Sequence, residues 1–214
     1  MKNTEKVLVG EQPQILRLCS GLTQKWDAYL AGGLGTALQL GHRSSRDFDW
    51  FTPKTIPPAE LARSIKAMGL PTTIRQNDEG TFLATVGSID FSVFRYRYPN
   101  VSPTVNVAGC ELASLRDIGA MKLVAISQRT TMRDYVDLHA ITKKIPLREI
   151  TMAWKKKYPL ADLGTPLRAL TYFKDIDSDE KQKMPAMLNG VTWNQVKKEL
   201  ATVVERYNSR GIER

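Results

Sequence analysis

Apolar positions change their period along this chain. From Pro13 to Trp26 they recur at helical spacing, with Ile15, Leu16, Cys19 and Leu22 on one side, which predicts an opening helix. Ala28 to Ala31 reads as a short strand that ends in a glycine turn, Thr36 to Leu40 as a short helix, and Phe48 to Phe51 as the next strand. Pro57 and Pro58 open a helix with Leu61, Ile65 and Met68 on one face, stopped by Gly69 and Pro71. Strand-like runs follow at Thr72 to Arg75, Thr81 to Val86 and Ser88 to Tyr96, with Asn77 to Gly80 turning between the first two. Thr104 to Leu112 reads as one further strand.

From Ser114 onward the pattern is helical throughout. Ser114 is placed to cap a helix through Ser127, and Thr131 to cap another through Lys143. Pro146 and Pro166 mark further helix starts, and a last helix runs from Trp193 to Tyr207 with Val196, Leu200, Val203 and Val204 apolar. The pattern therefore predicts an α+β chain: a small mixed-sheet core with flanking helices over residues 1–112, then a helical half over 113–214.

The chemistry concentrates between Tyr29 and Thr52. Asp47 and Asp49 stand two apart beside Phe48, Trp50 and Phe51, and in a strand such a pair points to one face. Adjacent carboxylates repel unless a cation or protons neutralise them. Oxygen-only ligands suit Mg²⁺ or Mn²⁺, which also bind substrate phosphates. Upstream, Gly32 and Gly33 offer close backbone approach and free N–H groups at a helix N-terminus, which a triphosphate needs. Asp90 alternates with Ile89, Phe91 and Val93 and shares a face with Ser88 and Ser92. Beside the Asp47/Asp49 strand it would complete three carboxylates, a two-metal arrangement for phosphoryl transfer; otherwise it is an edge-strand aspartate facing water.

Net charge is +9, and the excess is uneven: residues 143–214 carry 15 Lys and Arg against 9 Asp and Glu, the first 142 carry 16 against 13. A basic C-terminal half suits a polyanionic partner such as nucleic acid. No run of apolar residues is long enough for a transmembrane helix, so no membrane partner is expected. The first ten residues lack a secretory pattern, and Cys19 and Cys110 both sit in apolar contexts, as buried free thiols do; the expectation is a cytoplasmic protein.

Taken in order, Ala31-Gly-Gly33, Leu38 to Arg43, Asp47-Phe-Asp-Trp-Phe51, Ala120-Met-Lys122, Arg133 to His139, Leu170 to Asp175 and Pro185 to Lys197 form a set. It resembles the AbiEii/AbiGii-type nucleotidyltransferase toxins, within the DNA polymerase β-like nucleotidyltransferase superfamily. The resemblance runs from Tyr29 to Tyr207. It implies a minimal nucleotidyltransferase core, a divalent metal at the acidic pair, transfer from a nucleoside triphosphate, and a cognate antitoxin as partner. Asp47 and Asp49 would then be metal ligands, and Asp90 a third ligand or the general base. The family usually has Ser or Thr directly after the glycine that meets the triphosphate, whereas Leu34 stands here. Either Gly35 and Thr36 supply the turn and hydroxyl, or the hydroxyl is absent.

A second cluster comprises Lys122, Arg129, Arg133, Asp134 and Asp137. Lys122, set among Ile118, Met121, Leu123 and Val124, would contact the triphosphate, with Arg129 two helical turns away on the same face. Arg133 and Asp137 are spaced to pair along a helix, and Arg43 in the glycine block could neutralise phosphate. His42 and His139 read as structural, and Lys155 to Lys157 as a solvated helix face. Three functions fit: transfer of a nucleoside monophosphate onto RNA such as tRNA, transfer onto a small molecule, or a catalytically degenerate module that binds RNA or protein.

Overall fold

A computed structural model describes residues 4–212. The chain divides into two compact units, Met1–Ser114 and Leu115–Arg214. In the first, the elements in order are α1 (Thr4–Val7), α2 (Gln12–Leu18), α3 (Ser20–Trp26), β1 (Tyr29–Leu30), α4 (Gly32–Leu40), β2 (Phe48–Thr52), α5 (Pro58–Lys66), β3 (Thr72–Asp78), β4 (Thr81–Val86), β5 (Ile89–Arg95), β6 (Val105–Val107) and β7 (Cys110–Leu112). All seven strands join one mixed sheet in the order β3-β4-β5-β2-β1-β7-β6. β2 runs parallel to β5 and antiparallel to β1, while β1 runs parallel to β7.

The sheet has one apolar face and one polar face, as strict alternation requires. Phe48, Trp50, Phe82, Ala84, Phe91 and Val93 are all essentially inaccessible and form the core with Ile15, Leu16, Leu30 and Leu34. Asp49, Asp90 and Ser92 alternate with those core positions and so lie on the opposite face.

Four predicted elements differ from what forms. The opening helix breaks at Cys19, which ends α2 and begins α3; the buried Sγ of Cys110 donates to the carbonyl of Leu16 just before the break. The helix expected from Thr36 starts at Gly32 instead, because the glycine turn winds directly into its first turn, with Gly35 N–H donating to the Ala31 carbonyl at 2.9 Å. The run expected as one strand over 104–112 folds back as the β6–β7 hairpin, turned by Ala108 (φ +52°) and Gly109 (φ +81°), both in the left-handed region that tight hairpin turns use. β3 extends to Asp78 through an irregularity between Ile74 and Gln76.

The second unit contains α6 (Leu115–Gln128), α7 (Met132–Thr142), α8 (Leu147–Lys157), α9 (Gly164–Ala169), α10 (Lys174–Ser178) and α11 (Trp193–Ile212). Gly119 lets α8 approach α6 closely: a Cβ there would lie 2.9 Å from Ile150 Cγ2. Thr131 precedes α7 as expected but makes no side-chain cap; the Oε1 of Gln182 accepts from Met132 N–H at 3.0 Å in its stead. Lys157 does not join the solvated face expected of it. It is buried and its Nζ lies 2.9 Å from Asp117 Oδ1, also buried. His139 is likewise structural, with Nε2 2.6 Å from Glu199 Oε2. No helix among the described residues is long and apolar enough to cross a membrane.

Candidate active site

β1 ends where Ala31 N–H donates to the carbonyl of Asp49 at 3.0 Å, so the strand pairing itself sets the glycine turn beside the acidic strand. Gly32 then takes φ +60°, a conformation that L side chains adopt at a cost. A Cβ at Gly32 would lie 2.5 Å from Asp49 Oδ2. A Cβ at Gly33 would lie 2.4 Å from Arg43 Nη2 and 2.8 Å from Ser45 Oγ. Both glycines are thus needed for clearance, one against a carboxylate and the other against a guanidinium and a hydroxyl. Between these groups begins α4, whose first turn has no side-chain cap. Unpaired amides at a helix start attract anions.

Arg43 is buried (3 % exposed), and its Nη1 donates to the Ser44 carbonyl at 2.9 Å. The loop that follows is held by a residue that sequence reasoning missed. Gln12, fully buried on α2, donates from Nε2 to the carbonyls of Ser45 (2.7 Å) and Arg46 (3.0 Å), and its Oε1 accepts from Val9 N–H. Gln12 therefore fixes the backbone that leads into Asp47. Its signal was faint: one polar residue at the start of an apolar helix face. Ser45 was also missed, and proximity to Gly33 is visible only in three dimensions.

The Thr36 hydroxyl does not take up the phosphate role expected of it. Thr36 is buried, and its Oγ1 donates to the Gly32 carbonyl at 2.7 Å, one helical turn back. Gly35 is interior to the same helix, with its carbonyl accepting from Gln39. Leu34, also fully buried, packs into the core. The helix starts four residues earlier than expected, which turns all three positions into interior ones.

Asp90 shares the face of the acidic strand and carries an ion pair there. Phe48 pairs with Phe91 and Asp49 with Ser92, so Asp90 lies one step earlier along β5, on the polar face that carries Asp49. Its Oδ1 accepts from Arg75 Nη1 at 2.7 Å on an exposed part of the sheet. The guanidinium on β3 thus neighbours the carboxylate expected to join the acidic pair. Among the described residues, no group of three or more His, Cys, Asp and Glu side chains is gathered as a metal site.

The second cluster forms within the helical unit. Lys122 on α6 is buried, with Nζ 2.8 Å from Asp134 Oδ1 and 2.6 Å from Asp137 Oδ2. Arg129, just past the end of α6, reaches the same Asp134 from Nε at 2.9 Å. The seven-residue spacing of Lys122 and Arg129 therefore does converge, on a carboxylate. Asp137 accepts from Lys122, and Arg133 lies on the exposed side of α7. Burial by itself would lower the pKa of Lys122, but Asp137 and Asp134 outweigh it and hold the ammonium's pKa above the ordinary lysine value. For Asp134, burial pushes upward while Lys122 and Arg129 prevail, and its carboxyl stays below the ordinary range.

Comparisons with known proteins agree with this architecture. The family model described as nucleotidyl transferase AbiEii toxin, type IV TA system, matches residues 103–206. A protein of Aquifex aeolicus (strain VF5), aq_aa25, is 34% identical over 174 residues, covering 78% of this chain and 84% of that protein. Among solved structures, JHP933 from Helicobacter pylori matches with a TM-score of 0.59 at 17% identity, covering 95% of both chains. MenT4, a nucleotidyltransferase toxin from Mycobacterium tuberculosis H37Rv, matches with a TM-score of 0.56 at 18% identity, over 91% of this chain and 82% of that one. The antibiotic-resistance factor ANT(2″)-Ia matches at 0.53 and 13% identity, over 72% of this chain and 91% of that one. These structures share the nucleotidyltransferase fold. The chain belongs to the AbiEii nucleotidyltransferase toxin family.

Proposed function

We propose that the protein is a metal-dependent nucleotidyltransferase that moves a nucleoside monophosphate from an NTP onto a hydroxyl of RNA, with tRNA as the acceptor, and acts as the toxin of a toxin–antitoxin pair. The observation that carries this reading is the clearance around the glycine pair: Asp49 on one side, Arg43 and Ser45 on the other, and an uncapped helix start between them. Polyphosphate recognition needs that combination of backbone amides, a fixed cation and a carboxylate beside them.

Asp47 and Asp49 suit a magnesium ion, which is typically held by one or two carboxylates plus substrate phosphates, and the glycine pair brings the start of α4 close to the Asp49 carboxylate and the Arg43 guanidinium. When bound, the ion would neutralise charge on the phosphates and polarise the bond that breaks. The chain's own groups do the rest. Amides of the first turn of α4 hold phosphate oxygens, Arg43 offsets charge that develops on the leaving pyrophosphate, and Ser45 supplies the hydroxyl that Leu34 and Thr36 cannot. The basic composition of residues 143–214 favours RNA over a small acceptor.

The test is incubation with Mg²⁺, each labelled NTP in turn and total tRNA. Label should appear on RNA with the native protein, and be lost with Asp47→Ala and with Asp49→Ala while the far-UV signal and melting of both variants stay native. Full transfer by either variant would overturn the metal role. RNA binding without transfer by native protein would favour the degenerate module.

A further inference from the structure

A cavity of about 370 Å³ opens in the first unit at the far end of β2 from the acidic pair. Pro53, which directly follows β2, lines it, and four residues of extended chain put it about 13 Å along the strand from Asp49. Its walls are aromatic. Tyr96 stands edge-on to both Phe51 and Tyr98, with ring centroids 5.4 Å apart in each case, and Tyr29 stacks on Phe51 at 6.0 Å. Perpendicular neighbouring rings present faces in different directions, the geometry that surrounds a cation with π-electron density.

The charged residues of the lining are Asp27 and Glu111. Glu111 is held as a carboxylate by hydrogen bonds from Asn106 (2.7 Å) and Thr104, while Asp27 pairs at the rim with Lys54, at 2.9 Å. No lysine or arginine lines the cavity, although the chain as a whole carries a net charge of +9. With Asp27 offset by Lys54 and no lysine or arginine in the lining to offset Glu111, the cavity disfavours phosphate and does not suit a nucleotide. Its volume lies within the range of small-molecule sites.

We propose that this cavity is a binding site for a small organic ammonium ion, with the head group against Tyr96 and Tyr98 and its charge balanced by Glu111. The site is separate from the nucleotide chemistry and does not depend on it.

Choline provides the probe, with its uncharged tert-butyl analogue as control. Titration followed by calorimetry and by the tyrosine-ring resonances should show saturable choline binding. The neutral analogue should bind markedly more weakly, and Asp49→Ala should leave choline binding unchanged. Tyr98 is 47 % exposed, so Tyr98→Ala should keep the fold and weaken choline binding roughly fivefold, the loss of one cation–π face. Glu111→Gln should weaken it while preserving the shape of the wall. Absence of saturable choline binding, equal binding of the neutral analogue, or wild-type affinity in both variants would overturn the proposal.

Discussion

Gly32→Ala separates backbone strain from crowding of the acidic pair. At φ +60° an alanine pays the left-handed penalty of about 1–2 kcal/mol. Its Cβ would also lie 2.5 Å from Asp49 Oδ2 and 3.2 Å from Asp49 Cβ, so rotation of the carboxylate alone does not clear it. Asp49 Cβ must give slightly and its Oδ2 must move by roughly 1 Å, and a displacement of that size at a reacting centre costs on the order of 100-fold in rate. Stability, measured by urea denaturation, should fall by about 1–2 kcal/mol, with NTP-dependent labelling of RNA down about 100-fold at saturating NTP. Gly32→Asn is the companion variant. Asparagine tolerates the left-handed region, so most of the stability should return, yet its Cβ crowds Asp49 equally and the rate should stay low. Activity recovering in step with stability in the asparagine variant would refute the crowding argument, and wild-type activity in the alanine variant would remove Asp49 from the site.

Three further outcomes follow from contacts described above. Gln12→Ala removes the donors to the Ser45 and Arg46 carbonyls and should cost about 1–3 kcal/mol in denaturation, with a loss of transfer larger than the melting shift explains. The Lys122 cluster sets a stability plateau: Asp134, with its pKa lowered by folding, contributes above the ordinary carboxylate range and loses that contribution as pH falls through its depressed folded value. Lys122, with its pKa raised, contributes in full below the ordinary lysine value and loses it as pH rises beyond, so this cluster's contribution should be flat between about pH 5 and 9, and Lys122→Met should remove its alkaline loss and, by leaving Asp134 and Asp137 buried without the ammonium, lower stability at neutral pH. Asp117→Ala strands a buried Lys157 and should cost about 3–5 kcal/mol by urea denaturation, while Asp117→Leu combined with Lys157→Met should recover most of that loss.

The elements that sequence predicts well are those with a strong period of their own. β2, β4, β5 and α5 form within a residue or two of where alternation, prolines and helical spacing put them. The misses have two causes, a partner distant in sequence or a local backbone choice that composition does not signal. The Gly32 start of α4 depends on a strand pairing with Asp49, and the turn at Ala108 depends on a left-handed alanine that composition does not signal. At the site, the glycine pair, Asp49 and Arg43 were legible as a motif and do lie together. Thr36 was not, since its hydroxyl is equally at home on a phosphate or on the preceding turn, and only the helix boundary decides. Asp90 was legible in its face but not in its partner, because Arg75 reaches it from β3 across β4.

The sheet's two ends bear on how this chain avoids its own kind. Open edge strands offer unpaired amides and carbonyls to any other extended chain. One edge here is β3, where Arg75 sits at the irregularity between Ile74 and Gln76, in a run that ends Gln76, Asn77, Asp78; the other is β6, only three residues long. A charged, interrupted strand and a very short one make poor templates. The ion pair of Arg75 with Asp90 thus also guards against strand-to-strand aggregation at high protein concentration, and a β3 rebuilt with valines at 75 and 76 would expose an adhesive edge without touching the core.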